Sequence, residues 1–158
     1  MPNLKAFRKF IFAVVMGGTV ALTPDASSAQ IVIIYHDGGG VLQERLQAFD
    51  EFQRKGTQVE IRGKCKSACT VYLGLDNVCV TPDALVSFHG PLYADGTKMS
   101  GERFDHWTRV LASYYPKGID RWFMTTARHV RGGRNFLTVR GAELIKFGVR
   151  KCDRNLPT

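Results

Sequence analysis

Three short segments of the chain carry the residue types that hydrolytic chemistry needs. They are a glycine-rich turn at residues 37–40 (DGGG), a serine-containing turn at 63–69 (GKCKSAC) and a histidine segment at 87–91 (SFHGP). Each of them follows or ends a stretch that is predicted to be a β-strand. Because open α/β sheets keep their sites at the carboxyl ends of the strands, we expect the three segments to meet there.

The serine and the histidine of these segments suggest acyl transfer. Ser67 falls on a predicted strand-to-helix turn, which would expose its hydroxyl beside the unpaired N–H groups of the helix. His89 ends another strand and could accept the serine proton, which is typically worth about 10²- to 10⁴-fold in rate. A backbone N–H from the glycine turn and one from the helix start would form an oxyanion hole, where losing one donor typically costs about 3–4 kcal/mol.

Each segment also has a simpler interpretation. Ser67 alone is typical of a helix N-cap, His89 of a structural histidine, and three successive glycines of a tight turn. The remaining histidines, His36, His106 and His129, have no evident partner and are interpreted as surface or packing residues. The catalytic hypothesis therefore depends on the three segments occurring together.

The elements around these segments alternate between strand and helix. Residues 30–35 (QIVIIY) form a continuous apolar run typical of a buried parallel strand, and apolar residues at helical spacing follow through residue 55. The other predicted elements are a strand around 59–61, a turn at 63–67, a helix at 68–75, strands at 78–80 and 84–89, helices at 101–114, 118–130 and 139–147, and a closing strand at 149–152. Thr138 is the predicted N-cap of the last helix. This order predicts an α/β domain with parallel pairing.

The first 29 residues have the pattern of a secretory signal peptide. Lys5, Arg8 and Lys9 precede an apolar run at 10–22, and small residues at 27–29 (SSA) provide a cleavage site. An uncleaved N-terminal anchor is the alternative, although the apolar run is short for a membrane span. The pattern predicts a cleavable signal at 1–29, a single domain at 30–158 and a periplasmic or secreted bacterial protein that is not transmembrane once processed.

The predicted domain is basic. Removal of the signal leaves 129 residues with 19 basic and 13 acidic side chains, a net charge of +6, and much of the excess lies at 128–154. Such a patch can bind nucleic acid or an anionic membrane surface. Because export argues against nucleic acid, we interpret the patch as a solvated face and predict no nucleic-acid partner.

Four cysteines remain after the predicted cleavage, namely Cys65, Cys69, Cys79 and Cys152. An even number in an exported domain indicates two disulfides. A zinc site is the alternative, but the spacing of Cys65 and Cys69 is wider than in most zinc knuckles. We therefore predict disulfides and no bound metal.

The order of the three segments resembles that of the proteolytic subunit of Clp protease, a family that shares its fold with crotonases. In that family a strand leads into a Gly-Gly loop, a G-x-x-x-S segment carries the nucleophile, and a later strand ends in His-x-Pro. Residues 39–40, 63–67 and 89–91 match these motifs in order, and residues 136–143 (FLTVRGAE) with 147–149 (FGV) resemble the closing helix and strand. The resemblance runs from about Ile31 to Cys152 and is closest to small predicted periplasmic relatives with a C-x-S-A-C segment.

The resemblance implies a small Clp-protease/crotonase-like fold with a mostly parallel sheet, crossover helices and C-terminal helices. It implies Ser67 as nucleophile, His89 as base, and the N–H groups of Gly39 or Gly40 and of Ala68 as oxyanion donors. The implied partner is a peptide or protein substrate, without a cofactor, and the implied assembly is a homo-oligomer.

Two departures from the family pattern bear on activity. The family places an acid shortly before the stretch that matches Phe136, whereas residues 128–135 (RHVRGGRN) contain none. Asn135 could orient the histidine instead, or an acid from elsewhere, such as Asp120 or Asp95, could substitute. The family's first strand–helix unit is also missing, and oligomerisation could compensate for the lost burial.

The missing acid keeps two other functions open. One is a non-catalytic relative that retains the fold as a binding or assembly module. The other is crotonase-type acyl-CoA chemistry, against which the predicted export and the serine turn both argue.

The family arrangement also suggests how the cysteines pair. Its closing strand packs near the strand that matches the surroundings of Cys79, which favours a Cys79–Cys152 disulfide over Cys69–Cys79. A Cys65–Cys69 disulfide would then flank Ser67 and hold the serine turn.

Overall fold

A computed structural model describes residues 30–131 and 135–153. The predicted signal peptide at 1–29 lies outside the described residues, as do 132–134 and 154–158. The strands are β1 (Ile31–Asp37), β2 (Gln58–Lys66), β3 (Val78–Val80), β4 (Leu85–Phe88) and β5 (Leu137–Arg140). The helices are α1 (Leu42–Lys55), α2 (Gly101–Ser113), α3 (Ile119–Thr125) and α4 (Gly141–Lys146), with 3₁₀ helices at Ser67–Gly74 and Ala127–His129.

The five strands form one mostly parallel sheet. β2 pairs in parallel with β1, β3 and β4, while β5 pairs antiparallel with β4. Asp37 of β1 pairs with Cys65 of β2, and Lys66 of β2 pairs with Ser87 of β4. The glycine turn, the serine turn and the histidine segment therefore leave the sheet at the same edge. The predicted α/β class with mostly parallel pairing is confirmed.

The hydrophobic core is built around β2 and β4. Ile61 and Val86 are fully buried, and the Phe88 ring meets the rings of Tyr115 and Trp122 edge-on. Such aromatic contacts add to the stabilisation that burial alone provides. They fix the end of β4 and therefore the position of the residue that follows it, His89. Among the described residues, no helix is both long and apolar enough to cross a bilayer.

β1 is less buried than its apolar sequence predicts. It is an edge strand that pairs, within the described part of the chain, with β2 alone, and Ile34 is its one buried residue. Ile31, Ile33 and Tyr35 are 43%, 40% and 67% exposed. The prediction of a buried strand is wrong because an apolar run does not reveal whether a strand has neighbours on both sides.

The serine turn begins later than the sequence predicts. β2 continues through the predicted turn as far as Lys66, because it pairs with β1 up to Cys65 on one side and with β4 up to Lys66 on the other. The next element, Ser67–Gly74, is a 3₁₀ helix. Ser67 therefore follows directly on a strand held from both sides.

The C-terminal part of the sheet also differs from the prediction. Residues 137–140 form β5, and Thr138 is not a helix N-cap, because its Oγ1 lies 2.9 Å from Ser87 Oγ across the β4–β5 pair. The predicted helix at 118–130 divides into α3 and the 3₁₀ helix Ala127–His129. The predicted closing strand is reduced to a single parallel bridge between Val80 and Lys151.

Two disulfides join the four cysteines, Cys65 to Cys69 and Cys79 to Cys152. This is the pairing that the resemblance favours. No cysteine in the described chain is free, so the zinc alternative has no thiolate ligands. The first bond encloses the serine turn, and the second ties β3 to the C-terminal segment.

Candidate active site

Ser67 occupies a sharp turn between β2 and the 3₁₀ helix Ser67–Gly74. Its φ is 55°, and no other non-glycine residue in the described chain has a positive φ. Such a conformation costs about 1–3 kcal/mol and persists only where the surroundings impose it. Here the Thr70 hydroxyl donates to the Ser67 carbonyl at 2.7 Å, and the Cys65–Cys69 disulfide spans the turn.

The Ser67 hydroxyl contacts His89 and does not cap the helix. Lys66 is the N-cap residue, and no side chain caps the helix. Ser67 Oγ lies 2.6 Å from His89 Nε2, and both residues are half-buried. The residues predicted as nucleophile and base are therefore in hydrogen-bond contact, and neither is fully buried.

The other ring nitrogen of His89 faces a backbone carbonyl. Nδ1 lies 2.6 Å from the oxygen of Gly90. Because a carbonyl oxygen only accepts, Nδ1 carries the proton and donates it, which leaves the lone pair of Nε2 for the Ser67 hydroxyl. This is the tautomer that a general base needs.

Burial lowers the pKa of His89 below its ordinary value of 6.5, and the hydrogen bond to the Gly90 carbonyl offsets only part of this effect. Desolvation disfavours the charged imidazolium relative to the neutral ring. The ring is therefore neutral at pH 7 and able to accept a proton.

None of the three residues predicted as candidates to orient His89 makes a hydrogen bond to its ring. Asp120 lies at the start of α3, where its carboxylate accepts two backbone N–H groups at 2.8 and 2.7 Å. Asn135 is exposed and makes no hydrogen bond to the ring, and Asp95 accepts from Thr97 in an exposed turn. In the described part of the chain, the group at Nδ1 is the Gly90 carbonyl.

Gly39 brings the glycine turn directly against Ser67. A Cβ placed on Gly39 would lie 2.6 Å from Ser67 Cβ and 3.2 Å from the nitrogen of Ala68, and the φ of Gly39 is 100°. Only glycine combines this conformation with so close an approach. The glycine turn and the start of the 3₁₀ helix therefore border one site.

The three predicted oxyanion donors are not equally available. The Gly39 N–H donates to the Asp37 carboxylate at 2.8 Å, which leaves Gly40 as the available member of the predicted pair. Gly40 is exposed, and its N–H makes no hydrogen bond within the described residues. The Ala68 N–H is one of the first in its helix, which intrahelical bonding leaves unpaired. Gly40 and Ala68 are therefore the donors left for an oxyanion.

Three side chains lie near the site although the sequence does not predict a role for them there. The Phe136 ring lies edge-on to the His89 ring at 5.2 Å between centroids, and the Lys66 ammonium is 5.5 Å from the centroid of Phe136. Arg45 of α1 binds the glycine turn. A lone aromatic residue and a helical arginine give no catalytic signal in a sequence, because both types usually serve in packing or on solvated faces.

One group of potential metal ligands lies elsewhere in the described chain. Glu60 has a carboxylate oxygen within 4.8 Å of the sulfur atoms of Cys79 and Cys152. Both sulfurs are in a disulfide, and Glu60 pairs with Arg62 at 2.6 Å. The cluster thus provides one carboxylate that is already neutralised, which is too few ligands for a zinc site.

Comparisons with known proteins identify no family for the chain. No protein-family model matches the chain, and no curated protein is significantly similar to it in sequence.

Proposed function

We propose that the chain is an exported serine hydrolase of the Clp-protease type, which cleaves peptides with a Ser67–His89 dyad. The observation that carries this proposal is the 2.6 Å contact between Ser67 Oγ and His89 Nε2. The positive φ of Ser67 supports it, because strained backbone concentrates at functional sites. Two disulfides support the exported location, because such bonds persist in oxidising compartments.

The reaction follows from the placement of these groups. Ser67 Oγ attacks the carbonyl carbon of the substrate while His89 Nε2 takes the hydroxyl proton. The N–H groups of Gly40 and Ala68 stabilise the tetrahedral oxyanion. His89 then gives the proton to the leaving amine as the C–N bond breaks, and a water molecule hydrolyses the acyl-enzyme by the same steps.

The Gly90 carbonyl takes the place of the usual carboxylate behind the histidine. It holds the ring and its tautomer, but it lacks the full negative charge that stabilises an imidazolium. We therefore expect slower catalysis than in an enzyme with a complete triad.

A fluorophosphonate probe tests the proposal. The Ser67 Oγ–P bond forms as the P–F bond breaks, and His89 accepts the serine proton. We expect labelling of the wild type at Ser67, none in Ser67→Ala, and a rate lowered about 10²- to 10⁴-fold in His89→Asn.

Ser113→Ala is the matched control for this experiment. Ser113 is exposed at the end of α2, where its hydroxyl bonds the Val110 carbonyl, so its removal should leave labelling unchanged. A correctly folded wild type that resists the probe would overturn the proposal.

The second candidate function is a non-catalytic binding or assembly module. Two observations favour this candidate. The group at His89 Nδ1 is a carbonyl, where a catalytic triad has a carboxylate, and the N–H of Gly39 is already bonded to Asp37. A module of this kind would resist the probe, and peptides would bind equally well to the wild type and to Ser67→Ala.

A further inference from the structure

Arg45 joins the glycine turn to the helix that begins with Ser67. Its Nε and Nη2 donate to the Gly39 carbonyl at 2.9 and 2.6 Å, and Nη2 also donates to the Asp37 carboxylate at 2.9 Å. Its Nη1 lies 3.3 Å from the hydroxyl oxygen of Tyr72, a buried residue of the 3₁₀ helix Ser67–Gly74. One guanidinium thus contacts both the glycine turn and the helix that begins with Ser67.

Asp37 and Arg45 together form a clamp on Gly39 of the glycine turn. Its carboxylate accepts from the Gly39 N–H at 2.8 Å as well as from Arg45. The side chains of Arg45 and Asp37 are 30% and 14% exposed, so this ion pair is shielded from much of the solvent. Hydrogen bonds between charged groups are stronger than neutral ones. Both the N–H and the carbonyl of Gly39 are therefore held.

The clamp fixes the direction of a neighbouring N–H group. No peptide bond in the described chain is cis, so the Gly39 carbonyl and the Gly40 N–H share one plane and point in opposite directions. With the carbonyl bound to Arg45, the Gly40 N–H is directed away from Arg45. Gly39 and Gly40 have φ values of 100° and 111°, and without side chains they have no other means of fixing this peptide.

We propose that Arg45 is a positioning residue that holds the Gly39–Gly40 peptide so that the Gly40 N–H serves as an oxyanion donor. This inference rests on the proposed function of Ser67 and His89. Arg45 itself does not touch the reacting atoms. When the clamp is lost, the peptide is free to rotate, and the oxyanion loses one of its two donors.

Amide exchange measures the clamp without relying on activity. In Arg45→Gln we expect deuterium exchange of the Gly39 amide, which is bonded to the Asp37 carboxylate, to accelerate at least about tenfold, because the Gly39 bonds open more often. Lys55→Gln is the matched control, since Lys55 lies on the same helix and makes an exposed ion pair with Glu51. Exchange in Arg45→Gln that equals exchange in this control would overturn the clamp.

Probe kinetics measure the consequence for catalysis. We expect Arg45→Gln to lower the maximal labelling rate about 10- to 100-fold with little change in the half-saturating probe concentration, since loss of a whole donor typically costs about 10² to 10³. Millimolar methylguanidine should restore part of the rate in Arg45→Ala and none in Lys55→Gln. A general loss of folding would show neither this rescue nor an unchanged half-saturating concentration.

The outcomes separate this inference from the proposed function. A wild type that is not labelled refutes the hydrolase, and with it the positioning role. A labelled wild type whose rate is the same in Arg45→Gln as in Lys55→Gln refutes the positioning role alone and leaves Ser67 and His89 in place.

Discussion

The ring of His89 is held by a carbonyl and shielded by burial, and together these set its response to pH. Labelling of Ser67 needs the neutral ring, so its rate rises with pH and levels off above the pKa of folded His89. Because burial lowers this pKa, we expect the half-maximal rate below pH 6.5. Measuring the rate of fluorophosphonate labelling between pH 4.5 and 8 (a range about the ordinary histidine pKa) tests this.

The same pKa shift affects stability and supplies the control. As pH falls through the ordinary histidine pKa of 6.5, the unfolded chain binds a proton that folded His89 resists, so the folded state becomes less stable. The labelling rates must therefore be corrected for the folded fraction at each pH. A corrected midpoint at or above 6.5 would contradict a desolvated base.

At the scale of single residues, the sequence predicts which residues form the candidate site better than it predicts the contacts that they make. Ser67 and His89 follow from residue type and order, because a serine at a strand-to-helix turn and a histidine at a strand end are brought to one sheet edge. The pairing of Arg45 with Asp37 does not follow, since a helical arginine resembles any solvated charge. An orienting role for Asp120, Asp95 or Asn135 is not found, because no rule of sequence spacing shows that the backbone carbonyl of Gly90 already binds Nδ1 of the imidazole.

The serine turn is an element whose geometry depends on the Cys65–Cys69 disulfide. We expect the double variant Cys65→Ala/Cys69→Ala to lose about 2 kcal/mol of unfolding free energy, as expected for closing so short a loop. The larger effect should be on the maximal labelling rate, because Ser67 can relax from its φ of 55° towards commoner values. Denaturant unfolding and probe kinetics on the same samples measure the two effects.

How well a helix or strand can be predicted from the sequence depends on what determines its conformation. That can be the pattern of its own residues or its pairing with neighbouring strands. α1 was predicted closely, because its apolar residues recur at helical spacing and Gly56 ends it. β5 was missed because four residues, 137–140, are too few for a clear alternation, and their strand conformation comes from pairing with β4. The strand conformation of Lys64 and Cys65 is likewise imposed by strands on both sides.

At the scale of the whole molecule, the Cys79–Cys152 disulfide closes most of the domain, with a sequence separation of 73. We expect Cys79→Ala/Cys152→Ala to lose about 4 kcal/mol of unfolding free energy, because the entropy of loop closure grows with loop length. Its labelling rate per folded molecule should change little, since this disulfide lies away from the serine turn. If it lost labelling as severely as Cys65→Ala/Cys69→Ala, the turn would have no special dependence on its own disulfide.

The α/β class with a mostly parallel sheet follows from the alternation of strands and helices, and the structure confirms it. The exposure of β1 does not follow, because only the assembled sheet shows which strand lies at the edge. The homo-oligomer implied by the resemblance stays a prediction, and light scattering of the folded chain would measure it.

The complete burial of Cys65 and Cys69 limits when their disulfide can form. Oxidants and reductants reach these sulfur atoms only while the chain is open, so we expect the disulfide that spans the serine turn to form during folding. We expect a chain held among reduced thiols to be made with its serine unlocked and to become competent only on arrival in an oxidising space. For the proposed hydrolase, this order of events would keep the newly made chain inactive until its disulfide forms, without a separate inhibitor.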